Sequence, residues 1–217
     1  MLSNREHLSF DDLKNSINKN QKGLFMVFGA GPSIKKHIKY LKTHNKKFKD
    51  YTMIVADGAT SALLEEDIVP EIIVTDLDGK IDDLLIANSK GTIFVIHGHG
   101  NNIDLIKKYT NSFNKVLGTT QSIPLENIYN FGGFTDGDRA VFLAEFLGAK
   151  KIVLGGMDFG KYVTSYSRPN IKKNVEIADD IKIKKLEHGE KLVNWIKQNK
   201  DVHISSIDEN NQKWYKS

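Results

Sequence analysis

From Gly23 onward the sequence alternates short, β-branched apolar runs with stretches whose apolar residues recur at helical spacing, and few folds accommodate that alternation. Strands are expected at Leu24–Phe28, Thr52–Ala56, Ile72–Thr75, Thr92–His97, Lys115–Leu117, Lys151–Leu154 and Val202–Ser205. Helices fill the intervals, at about Pro32–His44, Ala59–Glu66, Ile81–Ser89, Asn102–Ser112, Gly137–Leu147 and Asp180–Asn199. A continuous apolar strand must be covered on both faces, so the pattern predicts an α/β, Rossmann-like fold: a mostly parallel central sheet with helices on both sides. A leading helix is expected near Asp11–Lys19, capped by Ser9, within a helical lead-in over residues 1–22. No repeat or linker interrupts the chain, so residues 1–217 are expected to form one domain. Residues 155–179 lack periodicity and are rich in Gly, Ser, Asn and Lys, the texture of a lid loop.

Composition narrows the chemistry. With no cysteine, thiol nucleophiles, disulfides and thiolate metal sites are excluded, and any metal must take oxygen or imidazole ligands. Oxygen ligands point to magnesium. The net charge of +4 is spread over several helices without a basic stripe, so no nucleic acid is expected as partner. No apolar run approaches the roughly 20 residues that cross a bilayer, and a cytoplasmic protein is expected. Lysine supplies nearly all the positive charge. Arginine occurs only at Arg5, Arg139 and Arg168, and the last two lie in motif-rich loops where a planar fork can clamp phosphate.

In open parallel sheets ligands bind beyond the carboxyl ends of the strands, and here those ends collect glycine and aspartate. Gly29-Ala30-Gly31-Pro32-Ser33 follows the first strand, Asp57-Gly58 the second and Asp76-Leu77-Asp78-Gly79 the third. His97-Gly98-His99-Gly100 follows the fourth, and Gly155, Gly156 and Asp158 follow the strand at Lys151. The first motif is half of a dinucleotide fingerprint, but Ile34 stands where the third glycine belongs, which disfavours a dehydrogenase. What remains is either a turn whose amides and Ser33 hydroxyl are open to an anion or a plain strand-to-helix turn. Asp76 and Asp78, one residue apart at a strand end, can converge with Asp57 on one hard cation such as the magnesium of a polyphosphate. A second acidic group, Thr135-Asp136-Gly137-Asp138-Arg139, opens a helix, where capping is the competing explanation. His97 and His99 fit substrate contact or packing, and Phe131, Phe134, Phe159 and Tyr162 flank the acidic loops, where a flat ring can stack.

The order Ala56-Asp57-Gly58-Ala59, Pro70 to Asp78, then Thr135-Asp136 with Ala140 resembles the catalytic half of thiamine pyrophosphokinases. That resemblance implies their catalytic-domain fold, transfer of diphosphate from ATP, and magnesium ligation by Asp76, Asp78 and Asp136, with Asp57 beside them. This chain departs from them at Gly155-Gly156-Met157-Asp158-Phe159-Gly160 and has too few residues left for a thiamine-binding β domain. The closer resemblance is to the archaeal 6-hydroxymethyl-7,8-dihydropterin pyrophosphokinase family. It runs from Gly29-Ala30-Gly31-Pro32-Ser33 through Gly118-Thr119-Thr120-Gln121 and Asn130 to Ala140, and on to Gly156-Met157-Asp158-Phe159-Gly160.

This resemblance implies attack of the pterin hydroxymethyl oxygen on the β-phosphorus of ATP, AMP leaving, and a product for folate or methanopterin synthesis. It implies nucleotide or pterin contacts among Gly29, Gly31, Ser33, Asp57, Thr119, Thr120, Gln121, Thr135 and Arg139; Arg168, singled out by the scarcity of arginine, is expected to reach phosphate only when the long loop closes over the site. Arg139 or a lysine would offset charge on the leaving AMP side, and Asp138 or Asp158 would accept the hydroxyl proton. Another magnesium-dependent nucleotide transferase, including a sugar transferase, and a non-catalytic nucleotide-binding module are the alternatives. The assembly state, monomer or homodimer, stays open.

Overall fold

The computed structural model describes residues 7–17 and 22–208. Its elements run α1 (Phe10–Ser16), β1 (Leu24–Phe28), α2 (Ile34–Thr43), α3 (Asn45–Phe48), β2 (Thr52–Ala56), α4 (Asp57–Leu64), β3 (Ile72–Thr75) and α5 (Ile81–Ser89). They continue as β4 (Ile93–Gly98), α6 (Ile103–Tyr109), β5 (Val116–Thr120), β6 (Ile128–Tyr129), α7 (Asp136–Phe146), β7 (Lys151–Gly155), β8 (Tyr162–Thr164), β9 (Val175–Ile177), α8 (Asp180–Asn199) and β10 (His203–Ser206). Eight strands form one sheet in the order β10-β7-β1-β2-β3-β4-β5-β6, and every neighbouring pair is parallel. No described helix is long and apolar enough to cross a membrane.

Alternate strand residues face opposite layers, as the period of two requires. Phe25, Val27, Ile54, Ile72 and Val74 pack with α1, α7 and α8 through Leu13, Ala140, Leu143, Val193 and Ile196. Met26, Phe28 and Val55 pack with α2 and α4, and Ile73, Phe94 and Ile96 pack with α5 and α6. The division follows from handedness. From β1 to β5 the chain steps one way across the sheet, so right-handed crossovers put α2, α4, α5 and α6 on one face. The chain then returns to the far side of β1 for β7 and β10, and the same handedness puts α7 and α8 on the other face. That reversal opens a crevice between the loops after β1 and β7.

Three features differ from the sequence expectation. The leading helix begins as expected, with Ser9 and Asp12 forming a reciprocal capping box (Asp12 N–H to Ser9 Oγ, 3.1 Å; Ser9 N–H to Asp12 Oδ2, 2.9 Å), but it ends at Ser16. Asn18 and Lys19 of the expected helix, and Arg5, lie outside the described residues. The two-residue β6 carries no apolar run to announce it and exists because β5 offers it an edge. Residues 155–179 are not a free loop: β8 and β9 pair antiparallel, Thr164 Oγ1 donates to Ala30 O at 2.6 Å, and Tyr166 donates to Glu65. This segment is docked on the loop after β1 and on α4.

The switch point depends on Gly156. Its φ is +61°, and a Cβ there would collide with the carbonyl oxygen of Gly29. Gly156→Ala is expected to cost at least about 2 kcal/mol, adding left-handed strain to overpacking. Thermal melting checks this, and an unchanged melting temperature would refute it.

Candidate active site

The strand ends deliver four carboxylates to one place. Asp57 begins α4, Asp76 and Asp78 follow β3, and Asp136 begins α7; each offers an oxygen, and these oxygens all lie within 4.8 Å of one another. Leu77, between the two β3 aspartates, has φ +68°, a left-handed conformation that an L residue adopts only when its surroundings impose it. Thr75 imposes it. Its Oγ1 accepts from Leu77 N–H at 2.7 Å and donates to Asp57, tying the β2 and β3 ends together. Asn102 braces the same turn from α6, its side-chain amide donating to Asp76 O (2.8 Å) and His97 O (2.7 Å).

The carboxylates are poised against one another. Burial and the charges of Asp78 and Asp76 push Asp57 up to about 7, against the hydrogen bond from Thr75. Burial and Asp76 raise Asp78 to about 6, while burial with Asp76, Asp57 and Asp78 raises Asp136 well above the usual carboxylate range. Burial opposes ionisation of Asp76 as well, but hydrogen bonds from Asp78 and His99 outweigh it and lower its pKa; His99 Nε2 lies 3.1 Å from Asp76 Oδ2. Asp76 Oδ1 is buried without a hydrogen-bond partner among the described residues. All-oxygen donors, mutual repulsion and an orphaned oxygen are what a hard divalent cation relieves, so these residues fit magnesium. Thr75→Val keeps the shape but orphans Leu77 N–H, and it is expected to cost about 1–3 kcal/mol, measured by denaturant unfolding. Wild-type stability in that variant would mean the turn holds itself.

A cavity of about 430 Å³ opens over this cluster, lined also by the loops after β1, β4 and β7 and by the first turns of α7 and α8. The Gly29–Ser33 turn borders it without presenting the open donors expected of it. Gly29 N–H donates to Gly155 O (2.9 Å), Gly31 N–H to Gly156 O (2.8 Å), and both Ser33 N–H (3.0 Å) and Ser33 Oγ (2.9 Å) donate to Asp158 Oδ2. Because β1 and β7 are neighbours, their loops ladder onto each other, and the anion held by Ser33 is the protein's own Asp158.

Asp138 also has a different task from the one expected. It is fully buried and caps α7, accepting from Thr135 N–H at 2.9 Å, from Thr135 Oγ1 and from Phe134 N–H. A carboxylate so occupied is not open to a substrate proton. Arg139, one residue on, is 8% exposed and lines the cavity; among the described residues its guanidinium makes one long hydrogen bond, 3.4 Å to Phe134 O, and no carboxylate lies within 4.0 Å of it. Burial lowers its pKa, and Asp136, Asp138 and Asp76 oppose that shift. The exposed helix-start ion pair that competes with a phosphate role is therefore absent.

The remaining candidates divide. Gln121 reaches the cavity, whereas Thr119 and Thr120 line a second, mostly apolar recess of about 420 Å³ beside it. Thr119 Oγ1 lies 3.2 Å from His97 Nδ1, and His97 is buried, its pKa lowered to about 4 by burial and then by Arg139. Arg168 pairs with Asp179 and does not line the cavity. Of the four flanking aromatics, Phe131 packs against the core, Phe159 both packs there and reaches the cavity, and Phe134 and Tyr162 line the cavity with much of their rings exposed. Lys182 and Lys185 of α8 line it too. Nothing in the sequence distinguished them from the other lysines, and only their spacing of three at a helix start hints at a shared face.

A family model described as 6-hydroxymethylpterin diphosphokinase MptE-like matches residues 1–164. The chain is 53% identical over 180 residues to the 6-hydroxymethyl-7,8-dihydropterin pyrophosphokinase of Methanothermobacter thermautotrophicus, covering 83% of this chain and 76% of that one. Proteins of the same name match from Methanocaldococcus jannaschii (49% over 209 residues, 94% of this chain and 86% of that one) and Pyrococcus furiosus (50% over 173 residues, 80% and 71%). Among solved structures, a MAf glycosyltransferase from Magnetospirillum magneticum AMB-1 is similar at TM-score 0.47 and 21% identity, over 64% of this chain and 23% of its own. With the family match extending over most of the chain and relatives near half identity across four fifths or more of it, this chain belongs to the 6-hydroxymethylpterin diphosphokinase MptE-like family.

Proposed function

We propose that this chain transfers diphosphate from ATP to the hydroxymethyl oxygen of 6-hydroxymethyl-7,8-dihydropterin, giving AMP and the dihydropterin diphosphate. The observation that carries the reading is the convergence of Asp57, Asp76, Asp78 and Asp136 beside a buried Arg139, which has no ion pair among the described residues, at the switch-point edge of a parallel sheet. Relatives named for this activity, near half identical over most of the chain, support it.

Magnesium would be held by Asp76, Asp78 and Asp136, with Asp57 behind them. When bound, it offsets the negative charge of phosphate oxygens. The protein's own groups do the rest, because transfer of this kind needs positioning and charge compensation more than covalent help. Arg139 meets the phosphates with a planar fork. Phe134 and Tyr162 flank a flat ring at the mouth, and Gln121 supplies a polar contact. Asp158 lines the cavity from the β7 loop and, with Asp138 committed to capping, is the carboxylate of the two that takes the hydroxyl proton.

Incubation with ATP, magnesium and hydroxymethyldihydropterin is expected to release AMP in step with pterin diphosphate, and a chelator should stop it. Formation of ADP instead, or AMP release indifferent to the pterin, would overturn the reading.

A further inference from the structure

One wall of the cavity has no part in the chemistry above. Lys182, Lys185 and Leu186, at spacings of three and four on α8, line the same space as Asp76, Asp78 and Asp136. Local structure holds that face in place. Asp179 caps α8, accepting from Lys182 N–H at 2.8 Å, and also pairs with Arg168, so the first turn is anchored on both sides. Two turns on, Gly189 lets the helix approach Asp138, where a Cβ would come within 2.8 Å of its Oδ1. The seat of α8 is thus the buried cap of α7, the helix that carries Asp136 and Arg139.

The Lys182 ammonium is drawn toward Asp136 and Asp78 and repelled by Arg168 and Lys185, yet no carboxylate lies within 4.0 Å of it among the described residues. Once a divalent cation occupies the carboxylates, their attraction for lysine is taken up, and two cationic walls facing each other across one cavity favour an anion between them. We infer that Lys182 binds the diphosphate of the nucleotide directly, as the cationic wall facing the carboxylate cluster, with Lys185 next on the same face. The inference rests on the diphosphate-transfer reading and adds a phosphate contact to it.

Lys182→Met keeps the aliphatic stem and removes the charge, and Lys182→Arg restores a cation. With magnesium present, inorganic diphosphate should displace a fluorescent ATP analogue from the Met variant about 10- to 100-fold less tightly than from wild type, and the Arg variant should recover part of the loss. Magnesium affinity without nucleotide, followed by calorimetry, should hold or tighten, since a competing cation has gone. Unchanged diphosphate affinity in the Met variant, whatever its magnesium affinity, would make Lys182 a mere counter-ion and overturn the inference. Melting curves screen for misfolding, with Lys182→Gln as the replacement variant. The two ideas fail separately: absence of pterin-dependent AMP release from wild type sinks the functional reading, while the diphosphate affinities still decide Lys182.

Discussion

Asp76→Asn should lower turnover by about 10²–10³-fold while leaving the fold intact, and without metal the variant should melt no earlier than wild type. The first half follows from ligation: an amide in place of one carboxylate removes charge that a magnesium-polyphosphate site needs, worth several kcal/mol in the transition state. The second half follows from crowding. Asp57 and Asp78 are both raised in part by the negative charge of Asp76, so its removal relieves repulsion in the metal-free protein and offsets the lost charged contact with His99. Magnesium is expected to stabilise wild type by binding only the folded state, and to stabilise the variant less. Asp78→Asn should behave alike, since burial and the charge of Asp76 raise its carboxylate in the same site. Steady-state kinetics across a magnesium series, with melting curves with and without metal, test both. Near-normal turnover at limiting magnesium would remove that residue from the ligand set.

Arg139→Lys and Arg168→Lys should separate sharply. Arg139 is buried against the cavity, its guanidinium making a single long hydrogen bond to Phe134 O and no ion pair among the described residues. Lysine keeps the charge but loses the two-pronged fork, so turnover should fall about 10²–10³-fold, as when one preorganised donor to developing charge is lost. Melting should shift little, because the native guanidinium makes few bonds to lose. Arg168 pairs with Asp179 with both side chains about half exposed, a solvent-screened contact that contributes little, and its variant should turn over at close to the wild-type rate. If Arg168→Lys were the crippled variant and Arg139→Lys the active one, the phosphate contact would belong to the docked β8–β9 segment.

Elements whose signal is local were legible in the sequence. Leu24–Phe28, Thr52–Ala56 and Ile72–Thr75 are strands with those limits, and Ile81–Ser89 and Asp180–Asn199 are helices with those limits, because apolar period and flanking turn residues act within a few positions of one another. The grouping of Asp57, Asp76 and Asp78 was legible for a related reason: parallel strands deliver the residue after each strand to the same edge. Short pairs such as β6 and the β8–β9 hairpin carry no comparable signal, since two or three residues become a strand only when a neighbour offers its backbone.

What each polar group does was settled by the tertiary structure. Gly29, Gly31 and Ser33 have the chemistry of an anion cradle, but the pairing of β1 with β7 brings Gly155, Gly156 and Asp158 onto their donors first. Asp138 and Asp136 sit two residues apart at one helix start; the turn of α7 sends one inward to cap and the other to the carboxylate cluster. Lys182 faces those carboxylates only because Gly189 admits α8 close to α7. The sequence by itself determined the layers, their handedness and the edge where acidic residues gather, since these follow from periodicity and chirality along the chain. Which donors stay open to a ligand depends on contacts between residues more than a hundred positions apart, and those exist only once the sheet has closed its order.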